Sequence, residues 1–252
     1  MQHHSSPGIN LSNVDLQLGG HQVFAGLSMH MQHAKWHCVL GRSGVGKTSL
    51  LRLIAGLQSA DNGNVQVDQA TNTQQSIAYV PQEDSLLPWL TIEENVQLGP
   101  RLRGQANTQT RNKALALLEK VELANWSQAL PASLSGGMRQ RVALVRALLE
   151  EPDIVLMDEP FSRLDAITRH ELQTLSLQLM KERTVVMVTH DPMEAVRLSH
   201  YVHVLQPGQT THCASIELMD HAPRETDSQS AIEYLPQLWE QLGTTNAAAS
   251  HA

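Results

Sequence analysis

The segment Gly41-Arg42-Ser43-Gly44-Val45-Gly46-Lys47-Thr48 constrains this chain more than any other. It stands directly after the apolar run Trp36–Leu40, which predicts a buried strand. Leu50, Leu53, Ile54 and Leu57 follow at helical spacing and predict a helix over 49–57. Strand, glycine-rich turn and helix form the setting in which a GxxxxGK[ST] segment binds phosphate. Its glycines let successive backbone N–H groups curl around phosphate oxygens, and the helix adds its positive end. Lys47 is placed to reach the β- and γ-phosphates of a nucleoside triphosphate, and the Thr48 hydroxyl to bind Mg²⁺. Ser49, the next residue into the helix, belongs to the same contact set.

The rest of the chain alternates short apolar runs with longer helical patterns. Ile77–Val80, Ile154–Met157, Thr184–Thr189 and Tyr201–Leu205 are continuous runs, as expected of parallel strands covered on both faces. Residues 111–121 carry Ala114, Leu115, Leu118 and Val121 on one helical face. The predicted class is therefore α/β with a mostly parallel sheet. Two stretches, 9–34 and 63–68, read instead as short strands joined by turns at Gly19-Gly20 and Asp61-Asn62-Gly63. They predict an N-terminal antiparallel β subdomain. Residues about 85–150 read as a helical subdomain inserted between the second and third core strands of a single 252-residue domain. From about 214 a tail follows, with an amphipathic helix over 231–242 and a small, polar end over 244–252 expected to fray.

Composition narrows the function classes. With 18 basic and 25 acidic residues the net charge is −7, a poor basis for non-specific binding of nucleic acid or anionic lipid. Two cysteines and no signal peptide predict a reducing, cytoplasmic setting. No apolar stretch is long enough to span a bilayer, so any membrane crossing must fall to another chain. His200-Tyr201-Val202-His203 places two histidines on opposite faces of a strand, with no third ligand in view, and is read as structural.

Ile154–Met157 ends in Asp158-Glu159-Pro160. Beside a phosphate-binding loop, Asp158 is expected to hold Mg²⁺ through water, and Glu159 to orient and deprotonate an attacking water. Leu134-Ser135-Gly136-Gly137-Met138-Arg139-Gln140-Arg141 offers a hydroxyl and two glycine N–H groups at a helix start, a second anion-binding concavity. A plain N-cap at Ser135 is the alternative.

In this order the motifs resemble those of the ATP-binding cassette (ABC) ATPases, over roughly residues 9–210. The resemblance implies a P-loop NTPase core that binds ATP and Mg²⁺. It makes Ser135, Gly136 and Gly137 the signature that meets a second copy's nucleotide, hence a homodimer. Gln82 in Tyr79-Val80-Pro81-Gln82 resembles the Q-loop glutamine, which contacts Mg²⁺ and the water. Ser162-Arg163-Leu164-Asp165 resembles the D-loop, and His190 resembles the switch histidine of the γ-phosphate. Three departures stand out. Leu18 occupies the place of the aromatic that stacks on adenine, Met138 replaces a glutamine, and Arg163 replaces a small residue.

Leu86-Leu87-Pro88-Trp89-Leu90-Thr91 and the 184–207 stretch are similar to the nitrate, sulfonate, taurine and thiamine-precursor importers. That implies an ATPase subunit at the cytoplasmic face of the membrane. Its partners would be integral membrane permease subunits and, indirectly, a periplasmic or extracellular substrate-binding protein. The cargo expectation leans to hydroxymethylpyrimidine, with sulfonate, taurine or nitrate as the alternative and an exporter or lipid-extraction ATPase as a more distant one. Leu86, Leu87 and Trp89 are expected either to dock on the membrane partner or to pack in the core.

Overall fold

The computed structural model describes residues 8–68, 77–206 and 211–243. Two sheets organise it. The smaller is antiparallel, in the order β2-β1-β4, from β1 (Ile9–Leu18), β2 (His21–Met31) and β4 (Asn62–Val67). The larger runs β5-β6-β7-β3-β8-β9, from β3 (Trp36–Leu40), β5 (Ile77–Val80), β6 (Ile154–Asp158), β7 (Thr184–Thr189), β8 (Tyr201–Gln206) and β9 (His212–Glu217). All its pairings are parallel except β8 with β9.

Strands β3, β6 and β7 are buried at every position, and their alternation sorts side chains into two cores. Cys38, Leu40, Val155, Met157, Val185 and Met187 face one core. There they meet residues of α5 (Gly136–Leu149), α6 (Ala166–Leu179), α7 (Pro192–Leu198) and α8 (Gln229–Gly243). Val39, Ile154, Leu156, Val186 and Val188 face the other, packed on α1 (Lys47–Ile54) and the antiparallel sheet.

Between β5 and β6 lie α2 (Ile92–Val96), α3 (Leu98–Leu102), α4 (Thr108–Lys120) and α5. Helices α2, α4 and α5 share a third cluster built on Ile92, Val96, Ala114, Leu118, Val142, Val145 and Leu149. Helix α5 therefore belongs to both bodies: Leu144 and Leu148 face the main sheet while Val142, Val145 and Leu149 face the helices.

Four expectations need correction. Asn62 and Gly63 are strand residues rather than a turn, and Gly63 (φ 82°) runs so close to Asn13 that a Cβ would lie 2.2 Å from its carbonyl oxygen. The helix predicted over 49–57 stops at Ile54, because left-handed Gly56 turns the Leu57 N–H back onto the Arg52 carbonyl. Leu57 is consequently 68% exposed. His200 precedes β8 rather than lying on it, and its Nδ1 accepts from the Trp36 N–H at 3.1 Å. The tail expected from about 214 begins inside strand β9, which pairs antiparallel with β8 and extends the main sheet. The end over 244–252 lies outside the described residues.

Candidate functional site

The C-terminal ends of the parallel strands carry the predicted site residues other than the Ser135–Gly137 signature and Leu18, as open α/β sheets favour. Leu40 leads into the glycine-rich loop, Val80 into Gln82, Asp158 into Glu159, and Thr189 into His190. The loop demands glycine for space as well as for conformation. Gly46 has φ 102°, and a Cβ there would sit 2.6 Å from Val23 Cγ1 and 2.8 Å from Phe24 Cε1. A Cβ on Gly41 would meet Val45 Cγ1 at 2.8 Å.

Lys47 folds back over this loop. Its Nζ donates to the carbonyls of Gly41 (2.8 Å) and Arg42 (3.1 Å), and lies 3.8 Å from Glu159 Oε1. Burial pulls the ammonium below its ordinary pKa, while Glu159 and Asp158 counter that pull. Thr48 Oγ1 donates to Asp158 Oδ1 at 3.1 Å, and the Tyr79 hydroxyl donates to Asp158 Oδ2 at 2.9 Å. Burial, then the Asp158 charge, pushes the Tyr79 phenol up to about 12, so it stays a donor. The Thr48 hydroxyl and the Asp158 carboxylate form a hard oxygen set at the end of the lysine's reach, a donor chemistry that fits Mg²⁺.

Glu159 is the meeting point. Its Oε2 accepts from Gln82 Nε2 at 3.4 Å and lies 3.1 Å from His190 Nδ1. Its backbone is left-handed (φ 44°), an uncommon state for a non-glycine residue and one often found at functional positions. The Glu159 N–H holds the Val188 carbonyl at 3.0 Å, and the Ser162 hydroxyl holds the Glu159 carbonyl at 3.0 Å.

Behind His190, buried Glu194 accepts from Thr189 Oγ1 at 2.7 Å, and Thr189 Oγ1 accepts from the Asp191 N–H at 3.1 Å. Burial raises the Glu194 carboxyl above its usual range. This clamp fixes the strand end that carries the histidine. The sequence lists Glu194 only as one polar residue of a helix, so nothing there separates it from a solvated one.

The signature lies elsewhere on the chain. Ser135 caps α5, accepting from the Met138 N–H at 3.3 Å. Gly137 is packed so tightly that a Cβ would lie 2.3 Å from Thr168 Cγ2. A cleft of about 350 Å³ there is lined by Gln82, Asp84, Gly136, Arg139 and Arg163 among others. The loop after Gln82 is tied to α5 by arginines: Arg139 Nε donates to Asp84 Oδ2 at 2.9 Å, and Arg146 donates to the Asp84 and Ser85 carbonyls at 2.7 and 2.8 Å. Arg163 Nη2 reaches Glu83 Oε1 at 3.0 Å.

Gly41, Arg42 and Ser43 line a separate cleft of about 490 Å³ together with His190 and Trp239. Leu18 does not line it. That residue ends β1 at the hairpin tip, 42% exposed, whereas Val23 and Phe24 crowd Gly46.

The chain matches the family model described as ABC transporter over residues 24–162. It is 41% identical over 239 residues to an uncharacterized ABC transporter ATP-binding protein of Haemophilus influenzae, covering 93% of this chain and 98% of that one. It is 44% identical over 206 residues to an aliphatic sulfonates import ATP-binding protein of Rhodococcus jostii, covering 79% and 81% of the two chains. Among solved structures it resembles a dimeric ATP-binding cassette in a post-hydrolysis state with ADP and Pi, at TM-score 0.72 and 29% identity, covering 84% of this chain and 100% of that one. With the P-loop, the Asp158-Glu159 strand end and the Ser135 helix start placed as above, the chain belongs to the ABC transporter family and is one of its ATPase subunits.

Proposed function

We propose that two copies of this chain hydrolyse ATP at shared sites and thereby drive a membrane importer for a small solute, with residues 1–252 acting as one ATPase unit. The observation that carries this reading is the convergence of Lys47, Gln82 and His190 on Glu159, beside the Thr48–Asp158 pair. The loop from Gly41 to Thr48, with Ser49, wraps the phosphates, and Lys47 exchanges its contact with Glu159 for phosphate oxygens. Thr48, Asp158 and Gln82 hold Mg²⁺, which neutralises phosphate charge when bound. Glu159 accepts the proton of the attacking water, Gln82 orients that water, and His190 turns toward the γ-phosphate.

The clefts of the loop and of the signature are separate on one chain, so Ser135, Gly136 and Gly137 of a second copy complete each site. Leu18 stands outside the cleft of Gly41–Ser43, so it serves as an apolar platform for adenine only if the ring extends beyond that cleft to the tip of the β1–β2 hairpin.

No helix among the described residues is long and apolar enough to cross a membrane. Integral membrane subunits therefore supply the pore, with this chain at their cytoplasmic face and a substrate-binding protein on the far side. Trp89 is 70% exposed on the loop that follows Gln82, which supports docking there rather than core packing. The Rhodococcus relative's name favours a sulfonate-type cargo, while the hydroxymethylpyrimidine reading rests on sequence resemblance alone.

Glu159→Gln tests the chemistry. ATP binding should persist while turnover falls by about 10²-fold or more, the usual loss on removing a general base. Turnover near the parent's would remove Glu159 from that role. Gene deletion tests the cargo: growth on an aliphatic sulfonate as sole sulfur source should fail. Normal growth there, with loss of rescue by hydroxymethylpyrimidine, would move the protein to the thiamine-precursor branch.

A further inference from the structure

Helix α8 is fixed to the cassette rather than trailing from it. Leu238 and Ala231 are buried, and Tyr234, Leu235 and Leu242 pack on the main core. Its first turn is held by the Ser230 N–H on Asp220 Oδ2 (3.0 Å), and its last by Gln206 Nε2 on the Gln241 carbonyl (3.3 Å). Arg224, almost wholly buried, anchors the approach to the helix on the carbonyls of Val196 (3.0 Å) and Ser199 (2.7 Å).

Beside the buried face of this anchored helix runs an exposed apolar flank, while the side opposite the core carries Glu233, Gln237 and Glu240. Ile232 is 67% exposed, Trp239 is 59% exposed, and Pro236 lies between them in the open. Positions i, i+4 and i+7 share one face, so the three form a stripe about 10 Å long. Its Trp239 end lines the cleft of Gly41, Arg42, Ser43 and His190.

We propose that this stripe is a contact surface for a second copy of the chain, engaged when ATP bridges the pair, with Trp239 at the end nearest the phosphate loop. The proposal rests on the shared-site reading above. A second copy that brings its Ser135 and Gly136 to this phosphate loop must approach over Gly41–Ser43 and His190, and Trp239 stands on that rim. A large exposed aromatic next to a site of assembly has the composition of an interface hot spot. Nucleotide contact alone would need only the Trp239 end. Ile232, two turns further along, has no place in such a role, yet it continues the same apolar face, as a protein surface requires.

The test compares ATP-dependent dimerisation by analytical ultracentrifugation in the full chain carrying Glu159→Gln, alone and with Ile232→Glu or Trp239→Ser. Each added substitution should weaken the ATP-bridged dimer by at least about tenfold, since a charge or a gap would replace an apolar contact. Ile232→Glu should leave the melting temperature within about 2 °C of the parent, and the affinity of the dilute monomer for a fluorescent ATP analogue within about twofold. If the Glu159→Gln parent stays monomeric with saturating ATP, the shared-site reading fails and this inference with it. If the parent dimerises and both variants dimerise as tightly, only the inference fails. A loss confined to Trp239→Ser would also overturn it and assign that residue to the nucleotide. Tighter dimers in the variants would overturn it as well, since α8 would then be an obstacle to closure.

Discussion

The loop bearing Trp89 is shaped by one buried amide, and removing it should separate coupling from catalysis. Asn95 is fully buried on α2. Its Oδ1 accepts from the Leu87 N–H at 2.8 Å, and its Nδ2 donates to the carbonyls of Leu87 (3.1 Å), Leu90 (3.0 Å) and Thr91 (3.0 Å). In Asn95→Ala two of those carbonyls keep another partner, Leu87 from the Leu90 N–H and Thr91 from the residue 95 N–H. The Leu87 N–H and the Leu90 carbonyl lose the bonds that Asn95 made to them. Each such buried group costs about 1–3 kcal/mol. Because Pro88 and Trp89 are already at the surface, water can reach part of the relaxed loop, and a net cost of about 2–3 kcal/mol is expected. For a chain of this size that lowers the melting temperature by about 5–10 °C.

Trp89→Ala gives the contrast. At 70% exposure it should cost less than about 1 kcal/mol in stability, since little area is lost from the interior. Both variants should keep the basal ATPase of the isolated subunit, assayed well below the melting temperature. Both should lose most of the ATPase stimulation seen when the subunit is reconstituted with its membrane partner and cargo. Differential scanning fluorimetry alongside the two ATPase assays checks all of this. A melting temperature for Asn95→Ala within about 2 °C of the parent would refute the reasoning about the amide. A large drop for Trp89→Ala would restore core packing.

Two further outcomes are expected. His37 and His203 stack in the interior with Nδ1 of the first 3.0 Å from Nε2 of the second, and burial lowers them to about 4 and about 3. Their folded values lie below the unfolded one, so the unfolded chain binds more protons between about pH 4 and 6.5, and stability falls as pH drops through that window. Urea unfolding at pH 5 against pH 7 should show a loss of roughly 2–4 kcal/mol from this pair, and His203→Gln should flatten the slope; an unchanged slope would refute the assignment. Gly137→Ala should cost about 1–3 kcal/mol by pressing its Cβ on Thr168 Cγ2, and Thr168→Ser, which deletes that methyl, should restore most of it in urea unfolding of the double variant.

What could be read in the sequence was whatever physics keeps local. The phosphate loop needs a strand, a run of small residues and a helix in direct succession, so Gly41–Thr48 announces itself. Strands β3, β5, β6, β7 and β8 are short apolar runs, and their bounds differ from those expected by a residue at most. Strand β9 was not legible, because its identity comes from pairing with β8: His-Cys-Ala-Ser-Ile-Glu carries little periodic signal of its own. The polar residues that hold the site were hidden for a related reason. Nothing in the sequence sets Arg139, Arg146, Asn95 and Glu194 apart from ordinary polar residues on helices. A buried polar side chain is tolerated only where partners from distant segments satisfy it. Arg146 meets Asp84 and Ser85 across the inserted helices, and Arg224 meets Val196 and Ser199 across the C-terminal turn. In each case the residue's meaning lies in carbonyls that only the completed fold brings near. The same holds for Trp239, which reads in sequence as one apolar position of an amphipathic helix. The helix was predictable from its periodicity. Its position beside the phosphate loop depends on Leu238 finding the main core and on Gln206 reaching Gln241, contacts that no local pattern encodes.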